Sequence, residues 1–114
     1  MTEPFDGITF FRTDARDAVV AFYRDRLDCT TWREQPDCTI LHDGGYALGF
    51  CARDPPETDG CLTFLREDRA GVDVAYESLA AVADAEPRYN ETYEIYQFFA
   101  EDPEGRTVEV QTFE

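Results

Sequence analysis

The side chains able to do chemistry are few, and their spacing excludes more than it offers. His42 is the only histidine in the 114 residues, so a three-histidine zinc site, an HExxH helix and a catalytic triad supported by a second histidine are all excluded. Four cysteines, Cys29, Cys38, Cys51 and Cys61, show neither CxxC spacing nor a neighbouring histidine cluster. With no secretory signal in view, they are expected as buried thiols rather than disulfides. Glycine-rich phosphate loops of the GxGxxG and Walker types are absent, which removes the commonest nucleotide-binding signals. The charges carry their own exclusion. Asp and Glu total 25 against 10 basic residues, all arginine, for a formal charge of −15. Such a surface repels phosphate backbones and anionic lipid, so neither nucleic acid nor membrane is expected as a partner.

These residues need a framework. At 43% hydrophobic and 14% aromatic, the chain can bury a core despite its charge, and its length suits one domain. No apolar run approaches the roughly 20 residues of a membrane span. The opening MTEPFDGITFF lacks a basic n-region, so a cytoplasmic protein is expected. The acids are scattered along the chain, a pattern that resembles proteins of salt-loving organisms, where molar salt screens charge over about 3 Å.

Sliding the sequence against itself by 54 residues lays ITFFRTDARDAVVAF (from Ile8) on LTFLREDRAGVDVAY (from Leu62) without a gap, with six of fifteen positions identical. The matched Thr, Arg and Asp go beyond shared apolar patterning and point to a duplication. Each copy opens with a β-branched and aromatic strand, then an aspartate (Asp14, Asp68) suited to cap a helix. Apolar residues follow at helical spacing: Ala15, Ala18, Val19, Phe22 and Leu27 in the first copy, Val72, Ala75, Tyr76, Leu79, Val82 and Ala83 in the second. After the first helix, CTTWREQ, CTILH and YALGFCAR read as strands, with a turn at Asp43-Gly44-Gly45. After the second, a short strand lies between Pro87 and Asn90, and YEIYQFFAE and RTVEVQTF form a hairpin across Asp102-Pro103-Glu104-Gly105. The prolines of RDPPETDG mark a linker. The expected architecture is α+β: a βαβββ module over 5–53, a linker over 54–60 and a second βαβββ module over 61–114.

Two such modules resemble the vicinal oxygen chelate superfamily, which includes glyoxalase I, bleomycin-resistance proteins and extradiol dioxygenases. The resemblance spans residues 5–114 and rests on TDARDAVVAFYRDRL and on DPEGRTVEV, which is similar to the turn before that family's last strand. The composition would make this an acidic member of haloarchaeal type. The family implies an incompletely closed, cup-shaped sheet with the helices outside, and a divalent ion (Ni, Zn, Mn or Fe) in its metal-dependent members. Carried over by position, the implied ligand sites are Gly7, Gly49, Cys61 and Glu109. Only Glu109 is a strong donor and Cys61 a weak one, so no full metal site and no cofactor are expected. The family also implies a homodimer, which would cover exposed sheet edges.

Strand alternation then assigns the cup lining. Gly7, Thr9 and Phe11 face inward on the first strand; Ala47, Gly49 and Cys51 on the fourth; Cys61, Thr63 and Leu65 on the fifth; Thr107, Glu109, Gln111 and Phe113 on the last. Pairing Glu101 with Arg106 across the turn adds Tyr96, Phe98 and Ala100, whereas a one-residue slip would substitute Gln97 and Phe99. Such walls fit a small-molecule pocket or a filled core, and the small residues among them favour the pocket. The expected ligand-binding set is Phe11, Cys61, Thr63, Tyr96, Phe98, Glu109 and Gln111, with Glu109 the candidate general acid or base. His42 is expected at the surface, and Trp32 in packing. The function expected is capture of a small organic molecule. The alternative is a divalent-metal-dependent lyase, isomerase or dioxygenase.

Overall fold

The computed structural model describes residues 4–114, which form two compact units meeting at Thr58 and Asp59. In the first, β1 (Ile8–Thr13) leads into α1 (Arg16–Arg26), then β2 (Thr30–Glu34), β3 (Cys38–Asp43) and β4 (Tyr46–Ala52). In the second, β5 (Cys61–Leu65), α2 (Arg69–Leu79) and a 3₁₀ turn at Ala80–Val82 precede β6 (Arg88–Asn90), β7 (Ile95–Glu101) and β8 (Thr107–Phe113). Each unit is an open four-stranded sheet, ordered β1-β4-β3-β2 and β5-β8-β7-β6. The first strand of each runs parallel to the last, and the other neighbours are antiparallel. The two βαβββ modules expected from the patterning are therefore present. Among the described residues, no helix is long and apolar enough to cross a membrane.

One face of each sheet is sealed by its own helix. In the first module Val19, Val20 and Tyr23 of α1 are buried, and Tyr23 stacks with Phe50 of β4 at 5.1 Å. In the second, Val72, Ala75 and Leu79 of α2 are buried, and Phe64, Phe98, Val108 and Val110 are almost wholly enclosed. The other face of each sheet, which carries no helix of its own module, is called the open face below.

Three expectations are corrected here. The α1 stripe runs through Val19, Val20, Tyr23 and Leu27, while Ala18 is exposed. Asp68 does cap α2, accepting from the Gly71 N–H at 2.9 Å, but the cap position of α1 is Ala15, and its side chain caps nothing. Both follow from a third correction. Strands and helices of the modules correspond at an offset of 53 (Ile8 with Cys61, Arg16 with Arg69), one residue away from the 54 at which the letters match. A slip of one residue turns every strand side chain to the opposite face, so the letter match misassigned β1. Its open face carries Ile8, Phe10 and Arg12, with the Phe10 ring lying where a side chain on Gly49 would be. Phe11 turns the other way and stacks with Phe50 at 5.8 Å.

The cysteines are corrected too. Cys38 and Cys51 stand directly opposite each other on β3 and β4 and are joined as a disulfide, leaving Cys29 buried and Cys61 exposed as free thiols. Thirteen residues separate the two in sequence, and only the strand pairing brings them together.

Candidate functional site

The site is built on the open face of the second module. Parallel pairing sets Thr63 of β5 beside Glu109 of β8, and the Thr63 hydroxyl donates to Glu109 Oε1 at 2.8 Å. Among the described residues this is the only hydrogen bond on that carboxylate, and no arginine pairs with it. Cys61 Sγ lies 3.7 Å from Thr63 Oγ1. Burial pushes the Cys61 thiol up from its ordinary value and the Glu109 charge adds to this, against the opposing pull of the Thr63 hydroxyl. It stays a protonated thiol at neutral pH, poor as a nucleophile.

On the far side of Glu109 stands Phe99 of β7, and one pair further along Gln97 stands opposite Gln111. Both glutamines are more than nine-tenths buried, at 6% and 8% residual exposure. Neither side chain has a hydrogen-bond partner among the described residues, yet none of their polar atoms is sealed off completely. They line a hollow of about 470 Å³ together with Glu109, Phe99, Tyr93 and Phe113. Asn90 completes its rim, with its Oδ1 accepting from the backbone N–H of Thr92 (3.1 Å) and Tyr93 (3.4 Å).

The register decides which expected residues meet. Glu109 and Gln111 share the hollow, and Thr63 and Cys61 lie on the same face. Tyr96 and Phe98 do not join them. The Asp102 N–H donates to the Arg106 carbonyl and the Gly105 N–H to the Asp102 carbonyl, so Arg106 is used up in the turn and Glu101 pairs with Thr107. That moves Tyr96 and Phe98 to the helix side, where the Tyr96 hydroxyl donates to Asp73 Oδ1 at 2.7 Å and Phe98 meets Tyr76 edge-on at 5.4 Å. Gln97 and Phe99 take their places. Phe11 lies in the first module's helix-side core, outside this site. Asn90 and Tyr93 carried no signal in the sequence beyond that of a turn.

Arg106, which the sequence did not single out, is fully buried in this turn. Its Nη1 donates to Asp102 Oδ2 at 3.2 Å and to Glu104 Oε1 at 2.9 Å, while Asp102 Oδ1 accepts the backbone N–H groups of Glu104 and Arg106. The network locks the turn that sets the β7–β8 register.

The open face of the first module is built differently. Phe5 meets Trp32 edge-on at 5.1 Å and His42 at 5.6 Å, and His42 Nδ1 lies 3.0 Å from the Gly44 carbonyl oxygen. A hollow of about 360 Å³ beside Phe5 and Trp32 is lined by Asp6, Gly7 and Ile8. The register sets Ile8 where the second module has Cys61, and Gly49 where it has Glu109, so neither equivalent position supplies a donor. Among the described residues, no three His, Cys, Asp or Glu side chains are grouped so that they could hold a metal ion. A hard divalent ion needs several oxygen or nitrogen donors, and one carboxylate beside a hydroxyl and a soft sulfur does not fit it.

No protein-family model matches the chain, and no curated protein does. Solved structures do. A glyoxalase/bleomycin resistance protein/dioxygenase family enzyme from Burkholderia phytofirmans superposes with a TM-score of 0.81 at 18% identity, over 94% of this chain and 97% of that one. A lactoylglutathione lyase from Agrobacterium tumefaciens gives 0.75 at 21% identity, over 97% and 95%. A glyoxalase/bleomycin resistance protein/dioxygenase from Alicyclobacillus acidocaldarius gives 0.72 at 20% identity, over 99% and 95%. At these identities the likeness establishes the fold: the chain has the two-module fold of the vicinal oxygen chelate proteins.

Proposed function

We propose that this chain captures a small organic molecule in the hollow beside Glu109, in the manner of a bleomycin-resistance-type binding protein and without a full metal site. The observation that carries the reading is the Gln97–Gln111 pair. Both amides open onto the hollow with no protein partner among the described residues, so a ligand that meets their hydrogen bonds takes over contacts otherwise left to water. Around them the hollow has the mix of aromatic wall and few polar groups that suits a small-molecule site. Nuclear magnetic resonance of the Gln97 and Gln111 side-chain amides during a fragment screen tests this. Fragments that shift both amides support the site, and a diverse set that shifts neither at millimolar concentration overturns it.

The competing reading, a divalent-metal-dependent lyase, isomerase or dioxygenase, is separated by melting curves with Ni, Zn, Mn or Fe(II). An ion held by the native state at one hundred times its dissociation constant adds about 2.7 kcal/mol. Wild type and Glu109→Gln are expected to share the same shallow response from nonspecific carboxylate binding. A saturable, metal-specific gain lost in the variant would establish the enzyme reading instead. We further propose a homodimer, to be read by light scattering as twice 13.0 kDa, and adaptation to salt, read as a melting temperature that rises between 0.1 and 2 M KCl. A cytoplasmic location is also proposed, and the Cys38–Cys51 disulfide is the observation that weighs against it. Alkylation of thiols at lysis decides this: reduced Cys38 and Cys51 fit a cytoplasmic chain.

A further inference from the structure

We infer that the ligand of the Glu109 hollow is a flat aromatic cation with an amidine-like group at one end and an amide or similar donor–acceptor edge at the other. The inference rests on the binding reading above and adds to it the chemical class. The argument starts from charge. Glu109 is the only ionisable carboxylate lining the hollow, and no described basic residue lines it. Some carboxylates elsewhere meet arginines, such as Asp37 with Arg53, Glu114 with Arg69, and Asp102 and Glu104 with Arg106. Glu109 has instead one hydroxyl, on Oε1, which leaves Oε2 and a further lone pair on Oε1 for a donor. Two parallel N–H groups on a positive centre match that edge, as in the bidentate pairing of arginine with carboxylate.

The second half comes from spacing. The Gln97–Gln111 pair lies two residues along the strands from Phe99–Glu109, a separation of about 7 Å at the ordinary strand rise. Each glutamine offers an N–H donor and a carbonyl acceptor that open onto the hollow with no partner among the described residues, and a distal end that both accepts and donates matches them. A benzene ring substituted at its para positions spans such a gap, and Phe99, Tyr93 and Phe113 line the hollow as aromatic walls for it. The aromatic faces also favour a positive ring substituent over a negative one.

The test uses three probes with one skeleton: 4-carbamoylbenzamidine, the neutral terephthalamide and the anionic terephthalamate. Binding to the full chain is followed by amide resonance shifts in 1 M KCl, where the general attraction of an acidic surface for cations is screened to about 3 Å. The cation is expected to bind about tenfold more tightly than the neutral amide, which corresponds to one charged hydrogen-bonded contact. The anion is expected to bind more weakly still. Glu109→Gln should abolish the tenfold difference between cation and neutral amide, with the fold checked by the backbone spectrum. Glu77→Gln, on the exposed side of α2, should keep it. Gln97→Leu and Gln111→Leu should weaken the cation and the neutral amide by the same factor. Equal binding of cation and neutral amide that still depends on Gln97 and Gln111 would overturn the cationic class and leave the small-molecule reading standing. A cation preference that survives Glu109→Gln, or no binding of 4-carbamoylbenzamidine, would likewise overturn it.

Discussion

The two modules run through the same elements in the same order, yet their open faces have opposite characters, position by position. Where the second module sets Thr63 beside Glu109, the first sets Phe10 beside Gly49, and the phenylalanine ring fills the space that the glycine leaves. Where the second sets Gln97 opposite Gln111, the first sets Cys38 opposite Cys51 and joins them covalently. At these two positions the first module fills its open face with a ring and a disulfide. The second presents a carboxylate, two amides and a hollow there. One backbone plan thus carries a covalent brace in one half and a polar hollow in the other, and two pairs of facing side chains make the difference.

The largest test of this contrast is Arg106→Ala. The second module's last turn is held by a buried charge network, whereas at the first module's turn the His42 ring lies beside the Gly44 carbonyl. Removing the guanidinium strands the carboxylates of Asp102 and Glu104, and a loss of about 3–5 kcal/mol is expected in urea unfolding. A loss below about 1 kcal/mol would mean that the turn holds its register without the network.

Next in size is the covalent brace. Cys38→Ser should cost about 3 kcal/mol, the value for closing a loop of this length. The converse transplant sharpens the comparison. Because Gln97 and Gln111 occupy the register equivalent of the cysteines, Gln97→Cys with Gln111→Cys should oxidise spontaneously, raise stability and abolish ligand shifts in the hollow. Mass spectrometry showing two free thiols after air oxidation would break the equivalence.

A smaller effect attends the filled face. A Cβ on Gly49 would run into the Phe10 ring at Cδ1, and Phe10 is half exposed and free to swing aside. Gly49→Ala should therefore cost about 1 kcal/mol, and much less in a Phe10→Ala background, so a double-mutant cycle measured by chemical denaturation reads the contact directly. An additive pair of costs would mean that the ring does not occupy the glycine's space.

The smallest expected effect is acid sensitivity, and here the modules should agree. A hydrogen-bonded Arg53 draws Asp37 below the ordinary carboxylate range in the first module, and Arg69 does the same to Glu114 in the second. A carboxylate held low stabilises the fold above its unfolded pKa of about 4, and this is lost as pH falls through the depressed value. Both pairs are exposed, so each contributes little. Asp37→Asn and Glu114→Gln should each lower the denaturation midpoint slightly at pH 7 and match wild type near pH 2. A difference that persists at pH 2 would assign the stabilisation to something other than the ion pair.

Much of this was legible in the residues. Alternating apolar strands, the Asp102-Pro103-Glu104-Gly105 turn and the helical stripe of α2 are local signals, and they determine two βαβββ modules and a last strand that turns Glu109 and Gln111 to one face while Val108 and Val110 face the helix. Local signals stop at register. A strand's alternation says which residues share a face but not which residues of the next strand join them, because every slip of one residue is equally periodic. The tertiary structure made that choice with hydrogen bonds that no pattern announces. Arg106 folds into the turn over Asp102, which shifts β7 by one residue and brings in Gln97 and Phe99 in place of Tyr96 and Phe98. The 53-residue correspondence sends Phe11 to the core and Phe10 to Gly49. The pairing of β3 with β4 turns two cysteines thirteen residues apart into a bond. Each of these is a contact between strands, and its energy exists only once both strands are in place.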